Sequence, residues 1–249
     1  MNASLAQHPQ SRRRASKQPR SPGVRDRLLL LGAFVGVCAA HWPAASAAGA
    51  PGFAEATQGD PVAGREKAET ERCQECHGAT GNGNGQSSGV DGKFPGLAAL
   101  YPNYILKEVR DFRSGERKDI AMAIVAAGVD DDDLRDIAAY FARQRREPDH
   151  AATNAPADTA AGRTLYLRGD ASRDIAACSG CHGEDGNGSL ERRSPVPKIG
   201  GQAWRYLDKQ LRDWRSGERH NSFDGVMNQT TKALSDAEIQ ALADFLARR

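Results

Sequence analysis

Residues 73–83 read CQECHGATGNG, and residues 178–188 read CSGCHGEDGNG. One pattern, Cys-x-x-Cys-His-Gly-x-x-Gly-Asn-Gly, stands twice in a chain of 249 residues with five cysteines. Four of the five lie in these two stretches; the fifth, Cys38, lies far upstream. Whatever folds this chain uses both stretches in the same way.

The repetition extends outward from the cysteines. The tripeptide Ala-Gly-Arg stands at 63–65 and 161–163, and YILKEVRDFRSGER (104–117) parallels YLDKQLRDWRSGER (206–219). In these segments Ile105, Val109 and Phe112, matched by Leu207, Leu211 and Trp214, keep the i, i+4, i+7 spacing of a helix face, with Gly115 or Gly217 as its stop. A last helix closes each copy. Asp130 and Asp133 precede Leu134, Ile137, Ala138 and Phe141, and Ser235 and Glu238 form a capping-box pattern ahead of Ile239, Leu242, Ala243 and Leu246. No alternating β pattern is visible, so the fold class is all-α with Gly-rich loops. Residues 146–162, rich in Ala, Pro and Asp, read as an exposed linker. The organisation is therefore 60–147 as one domain, 148–160 as linker and 161–249 as a second. Each copy is small for a stable core and needs a staple such as a bound prosthetic group.

Residues 1–47 read as a cleaved signal peptide. Seven Lys/Arg and one acid between Arg12 and Arg27 precede the apolar run Leu28–Ala40 and the small residues around Ala47. The run is shorter than the roughly 20 residues of a membrane span, so the mature chain is expected to carry no transmembrane helix. Without these 47 residues the chain holds 27 Lys/Arg and 31 Asp/Glu, a net charge of −4. The apparent basicity belongs to the export segment, and nucleic-acid binding loses its support. Up to residue 150 the remaining chain has 13 basic and 18 acidic residues; beyond it, 14 and 13.

Cys-x-x-Cys-His has a definite chemical use: two thiols add to the vinyl groups of haem, and the adjoining imidazole is held beneath the iron. A four-cysteine zinc site expects its pairs roughly 15–20 residues apart, whereas a whole copy separates Cys76 from Cys178. A thioredoxin-like redox pair would need a βαβ setting. Met122 and Met227 are the only methionines after Met1, and each lies 45 residues beyond its motif histidine, His77 or His182. Equal offsets in both copies mark them as candidate sixth ligands rather than core filler. A thioether opposite His closes the iron to substrate and leaves it electron transfer.

With these motifs in order over residues 60–249, both halves resemble class I cytochrome c domains, and the tandem resembles the dihaem cytochrome c4 family. The resemblance implies two covalently bound haem c groups, linked at Cys73 and Cys76 and at Cys178 and Cys181, with His77/Met122 and His182/Met227 as axial pairs. It also implies that Pro95 and Pro197 orient the imidazoles, where plain loop punctuation is the alternative. The expected function is single-electron carriage in the periplasm, without enzyme activity, between redox proteins that include membrane-bound respiratory complexes or a terminal oxidase. The alternative is a dihaem subunit held by a dehydrogenase; a peroxidase-type enzyme would need an open iron. Two departures stand out. Residues 197–202 read PKIGGQ where 95–100 read PGLAAL, placing Leu100 where Gln202 stands. The second copy also carries seven extra residues before Cys178 and three between RSGER and Met227.

Overall fold

The structure, a computed structural model, describes residues 59–86, 93–147, 159–190 and 194–249. The export segment, Cys38, His150 and residues 148–158 of the linker lie outside the described residues. Both copies fall within one compact unit.

The first copy runs α1 (Pro61–Thr70), α2 (Cys73–His77), α3 (Pro102–Ser114), α4 (Ile120–Gly128) and α5 (Asp131–Ala142). The second runs α6 (Thr159–Arg168), α7 (Ser179–His182), α8 (Trp204–Ser216), α9 (Val226–Thr231) and α10 (Asp236–Ala247). Among the described residues β structure is confined to two isolated bridges, Asp170 with Ile175 and Ser189 with Val196. The expected punctuation is present. Asp130 Oδ1 accepts the Asp133 N–H at 2.8 Å, and Ser235 and Glu238 complete a reciprocal capping box. Gly115 and Gly217 end α3 and α8 at φ 84° and 83°, a left-handed turn that favours glycine.

In each copy the first helix crosses the last, α1 on α5 and α6 on α10, while α3 and α8 pack beneath. The crossings explain the repeated Ala-Gly-Arg. A Cβ at Gly64 would stand 1.9 Å from the Asp136 carbonyl oxygen, and one at Gly162 would stand 2.0 Å from that of Ala241. Only a bare Cα lets these backbones touch. Leu100, Ile105, Leu106, Leu134, Ile137 and Phe141 form one core; Tyr166, Leu207, Ile239, Leu242 and Leu246 form the other. Burying each such side chain contributes about 1.5–3 kcal/mol.

The seven extra residues form a clip. Asp170 and Ile175 exchange backbone bonds of 2.8 and 2.9 Å, Ile175 enters the second core, and Arg173 ties the turn to Glu238 of α10. The start of the expected linker is not free either. Arg146 Nε donates to Ala98 O at 2.9 Å, its Nη2 donates to Gly96 O at 3.0 Å, and helix α6 already begins at Thr159.

Candidate haem clefts and the interface between the copies

Each motif folds as a short helix followed by a glycine-rich loop. In α2, Cys73, Cys76 and His77 are spaced i, i+3, i+4 and so share one side. The loop beyond turns back at once: Gly83 N–H donates to His77 O at 2.8 Å, and Gly188 N–H to His182 O at 2.7 Å. A Cβ at Gly83 would meet Phe94 O at 2.7 Å, and one at Gly188 would meet Val196 O at 2.2 Å. These two glycines therefore let the segments bearing Pro95 and Pro197 approach the histidines.

The approach has a chemical result. His77 Nδ1–H donates to Pro95 O at 2.8 Å, and His182 Nδ1–H donates to Pro197 O at 3.0 Å. A carbonyl only accepts, so the proton sits on Nδ1 and each Nε2 keeps its lone pair for a metal. Both rings are buried. Burial pushes the His77 pKa down, and the Pro95 bond opposes that only in part, which favours the neutral ligating form. The two prolines thus place acceptors where ligand orientation requires them.

None of the four motif cysteines is joined in a disulfide, and all four are of intermediate burial. Burial pushes Cys73 up to about 12 and Cys178 up to about 11. Among the described residues no group of three or more His, Cys, Asp or Glu is placed to hold a metal ion, so the zinc reading finds no donor set.

The two methionines stand near the starts of two different short helices. Met122 lies in the first turn of α4, its N–H bonded to Asp119 Oδ1 at 3.0 Å. Met227 lies in the first turn of α9, its N–H on Ser222 Oγ at 3.2 Å. The three extra residues are absorbed in the turn Phe223–Gly225, where Asp224 and Gly225 take φ 50° and 64°.

A cavity of about 1130 Å³ runs through the unit, and Cys73, Cys76, His77 and Met122 line it together with Cys178, Cys181, His182 and Met227. Its wall also includes Ile105, Leu134, Leu207 and Leu242 from the two cores. Single ligand pockets span roughly 300–1,000 Å³, and packed interiors contain few voids larger than water. An apolar hollow of this size, with two thiols and a histidine on the wall in each copy, fits two haems. His220 stays exposed on the surface.

The copies meet on a buried polar centre. Glu108 Oε2 accepts from Arg117 at 2.6 Å, from Arg219 at 2.8 Å and from Asn221 at 3.1 Å. Arg117 donates across to Tyr206 Oη and Gln210 Oε1, both at 2.8 Å, and Arg219 donates to Gln210 Oε1 at 2.6 Å and across to Tyr104 Oη at 3.2 Å. Arg117 lies over Phe112 at 4.5 Å, as Arg219 lies over Trp214 at 4.3 Å. Tyr104 pairs with Tyr206, and Arg117 with Arg219, as equivalent residues of the two copies. Symmetry breaks where Gln210 replaces Glu108 and where Asn221, which donates to Glu108 and Asp111, stands opposite Asp119. The available signal for this centre in the sequence was the charged Arg preserved in both copies just beyond a helix stop.

A hollow helical unit carrying Cys-x-x-Cys-His on its wall, with the histidine fixed through Nδ1 by a proline carbonyl, defines a c-type cytochrome domain, here built twice. The cytochrome c family profile matches over residues 61–144 and 159–248. The cytochrome c4 of Pseudomonas aeruginosa is 36% identical over 199 residues, spanning 80% of this chain and 92% of that protein. A thiosulfate dehydrogenase electron acceptor of Stutzerimonas stutzeri is 34% identical over 212 residues, 83% of this chain and 94% of that protein. The crystal structure of reduced recombinant cytochrome c4 from Pseudomonas stutzeri superposes with a TM-score of 0.65 at 32% identity, over 76% of this chain and 98% of that one. The chain belongs to the cytochrome c family and, within it, to the dihaem cytochrome c4 family. It is an electron-transfer protein of two tandem helical domains with two covalently bound haem c groups. No helix among the described residues is long and apolar enough to cross a membrane.

Proposed function

We propose that Cys73 and Cys76 bind one haem and Cys178 and Cys181 the other, with His77/Met122 and His182/Met227 as axial pairs. Residues 1–47 direct export to the periplasm and are removed, and 148–160 join domain 60–147 to domain 161–249. The observation that carries the ligand assignment is repeated in both halves: an Nδ1–H held on a proline carbonyl, at the wall that also bears the methionine 45 residues on.

Bound haem supplies a one-electron Fe(III)/Fe(II) couple. The chain supplies the rest. Pro95 and Pro197 fix the tautomer and ring direction of each histidine, so no proton need move at the ligand when the charge changes. The apolar residues of both cores keep water from the clefts, which limits reorganisation on electron transfer. Met122 and Met227 would hold the iron against an incoming substrate, which would leave each site a relay.

The periplasmic reading makes redox proteins, membrane-bound respiratory complexes or a terminal oxidase the partners, met in brief contacts steered by the acidic first half and the near-neutral second half. A second reading, a haem subunit held by a dehydrogenase, is favoured by the likeness to a thiosulfate dehydrogenase electron acceptor. Isolation of the native protein as a free monomer argues for the carrier, and co-purification with a larger redox chain argues for the subunit.

The ligand assignment is tested by spectra of the mature protein, oxidised and reduced, before and after carbon monoxide, with a haem count. Two haems per chain, a far-red sulfur-to-iron band and no carbon monoxide shift are expected. Met122→Ala and Met227→Ala should each open one haem to carbon monoxide; a variant that leaves the band whole would remove that methionine from the ligand set.

A further inference from the structure

Gln202 belongs to the second domain, yet its side-chain amide lies on the backbone of the first. Its Oε1 accepts the Gly96 N–H at 2.6 Å, and its Nε2 donates to Gly96 O at 2.9 Å. Oε1 also accepts the Ala203 N–H at 2.9 Å, and Arg146 Nη2 adds a second donor to Gly96 O at 3.0 Å. Gln202 is 3% exposed, so water does not compete for these bonds. The bare Cα of Gly96 gives Arg146 room, since a Cβ there would stand 3.3 Å from its Cζ.

The Gly96 N–H and the Pro95 C=O are two ends of one peptide group, and Pro95 O is the atom that accepts His77 Nδ1–H at 2.8 Å. We propose that Gln202 is a positioning residue for the first haem: it acts through the Pro95–Gly96 peptide on His77 and lowers the reduction potential of domain 1 from within domain 2. The inference rests on the proposed assignment of His77 as an iron ligand.

The physics is that of a polarised hydrogen-bond chain. An acceptor on the N–H end of an amide shifts electron density to its oxygen, strengthening the bond that oxygen accepts, by about 10–30% per bond in condensed phase. A firmer bond at Nδ1–H makes the ring a more basic ligand, and a more basic ligand favours Fe(III). Among the described residues the second domain shows no matching device. Leu100 occupies the position equivalent to Gln202, and a hydrocarbon offers no acceptor to the Lys198 N–H that corresponds to that of Gly96. Chain duplication therefore produced a one-way link, second domain to first, which separates two otherwise similar centres and ties the first to the closed interface.

The experiment uses the holoprotein with Gln202→Leu and Gln202→Glu. Both midpoint potentials are measured by redox titration, each assigned to its domain by the shifted methyl signals of Met122 and Met227. In Gln202→Leu the domain 1 equilibrium should move toward Fe(II) by roughly threefold, about 28 mV at 59 mV per tenfold, with domain 2 unmoved. Gln202→Glu keeps an acceptor for Gly96 N–H and should leave the domain 1 potential at or below wild type. The His77 Nδ1–H resonance of the reduced protein gives an independent readout; it should move upfield in Gln202→Leu while that of His182 stays. Leu and Glu variants that shift domain 1 in the same direction, or equal shifts in both domains, would reduce Gln202 to packing and overturn the relay. If Gln202→Leu fails to fold, a domain 1 potential above wild type in Gln202→Glu overturns it by itself. A wild-type protein without two His/Met spectra would overturn the ligand assignment and the relay together. Normal spectra with an unmoved His77 resonance would overturn the relay alone.

Discussion

Arg219 and Glu108, 111 residues apart in the chain, meet at 2.8 Å with side chains only 7% and 8% exposed. Glu108 also neutralises Arg117 at 2.6 Å, so one carboxylate serves two buried guanidinium groups from different domains. Its removal would strand both. Breaking a buried pair in this way costs about 3–5 kcal/mol, and Glu108→Ala is expected to lose that much in denaturant unfolding of the holoprotein. Glu108→Gln keeps the shape, matches Gln210 and should lose less. Equal losses in the two variants would show that the charge contributes nothing.

The same carboxylate predicts an acid limb. Burial pushes the Glu108 pKa up, but the charges of Arg219, Arg117 and Lys107 and the Asn221 bond outweigh it and hold the group at about 2. An unfolded glutamate titrates near 4.3, roughly. The folded value is the lower one, so the stabilisation is fully present above pH of about 4.3 and is lost as pH falls toward about 2. Subtracting the stability curve of Glu108→Gln from that of wild type should isolate this slope. High salt should not erase it, since exposed pairs such as Arg72 with Glu75 are screened and buried ones much less. A difference that is flat between pH 5 and 2 would contradict the assignment.

Most of the helical frame was legible because its signals are local. Asp130, Ser235, Gly115 and Gly217 act within one turn of their own position, and the two Cys-x-x-Cys-His stretches carry their chemistry in five residues. Glu108, Arg117, Arg219 and Gln202 were legible only as residues, since what each does depends on a partner about 90 to 110 positions away. Alignment of the copies sets Leu100 against Gln202, whereas Glu108 against Gln210 gains meaning only once the interface is seen. It could not tell that each side chain acts across the interface rather than within its own half.

The Ala-Gly-Arg tripeptide was visible as a repeat without a reason, and the helix crossings supply one. Gly64→Ala and Gly162→Ala each force a methyl into a backbone carbonyl of the last helix, which no side-chain rotation relieves. Overpacking of this kind costs about 1–3 kcal/mol and occasionally more, and these contacts belong at the upper end. Each variant should lower the Tm by more than about 4 °C. Gly115→Ala is the control for glycine lost without a steric clash, because nothing lies within 4 Å of its Cβ position; its φ of 84° should still give it a smaller loss.

One hydroxyl anchors the loop after each histidine, but from a different helix in each domain. Tyr140 of α5 donates to Ala79 O at 2.6 Å, and Tyr166 of α6 donates to Gly183 O at 2.5 Å. At the position equivalent to Tyr140 stands Phe245, and at that of Tyr166 stands Ala68, so the donor hydroxyl sits on a different helix in each domain and still reaches a carbonyl of the loop. Tyr140→Phe and Tyr166→Phe retain the ring packing and delete only the hydroxyl donor, although Gly183 O keeps the Gly186 N–H at 3.2 Å. A loss of about 1 kcal/mol is expected for each. Faster amide exchange is also expected at Gly83 in Tyr140→Phe and at Gly188 in Tyr166→Phe, because those N–H groups close the same loops onto His77 O and His182 O. Exchange that quickens at both loops in either variant would instead mean that the two clefts loosen as one body.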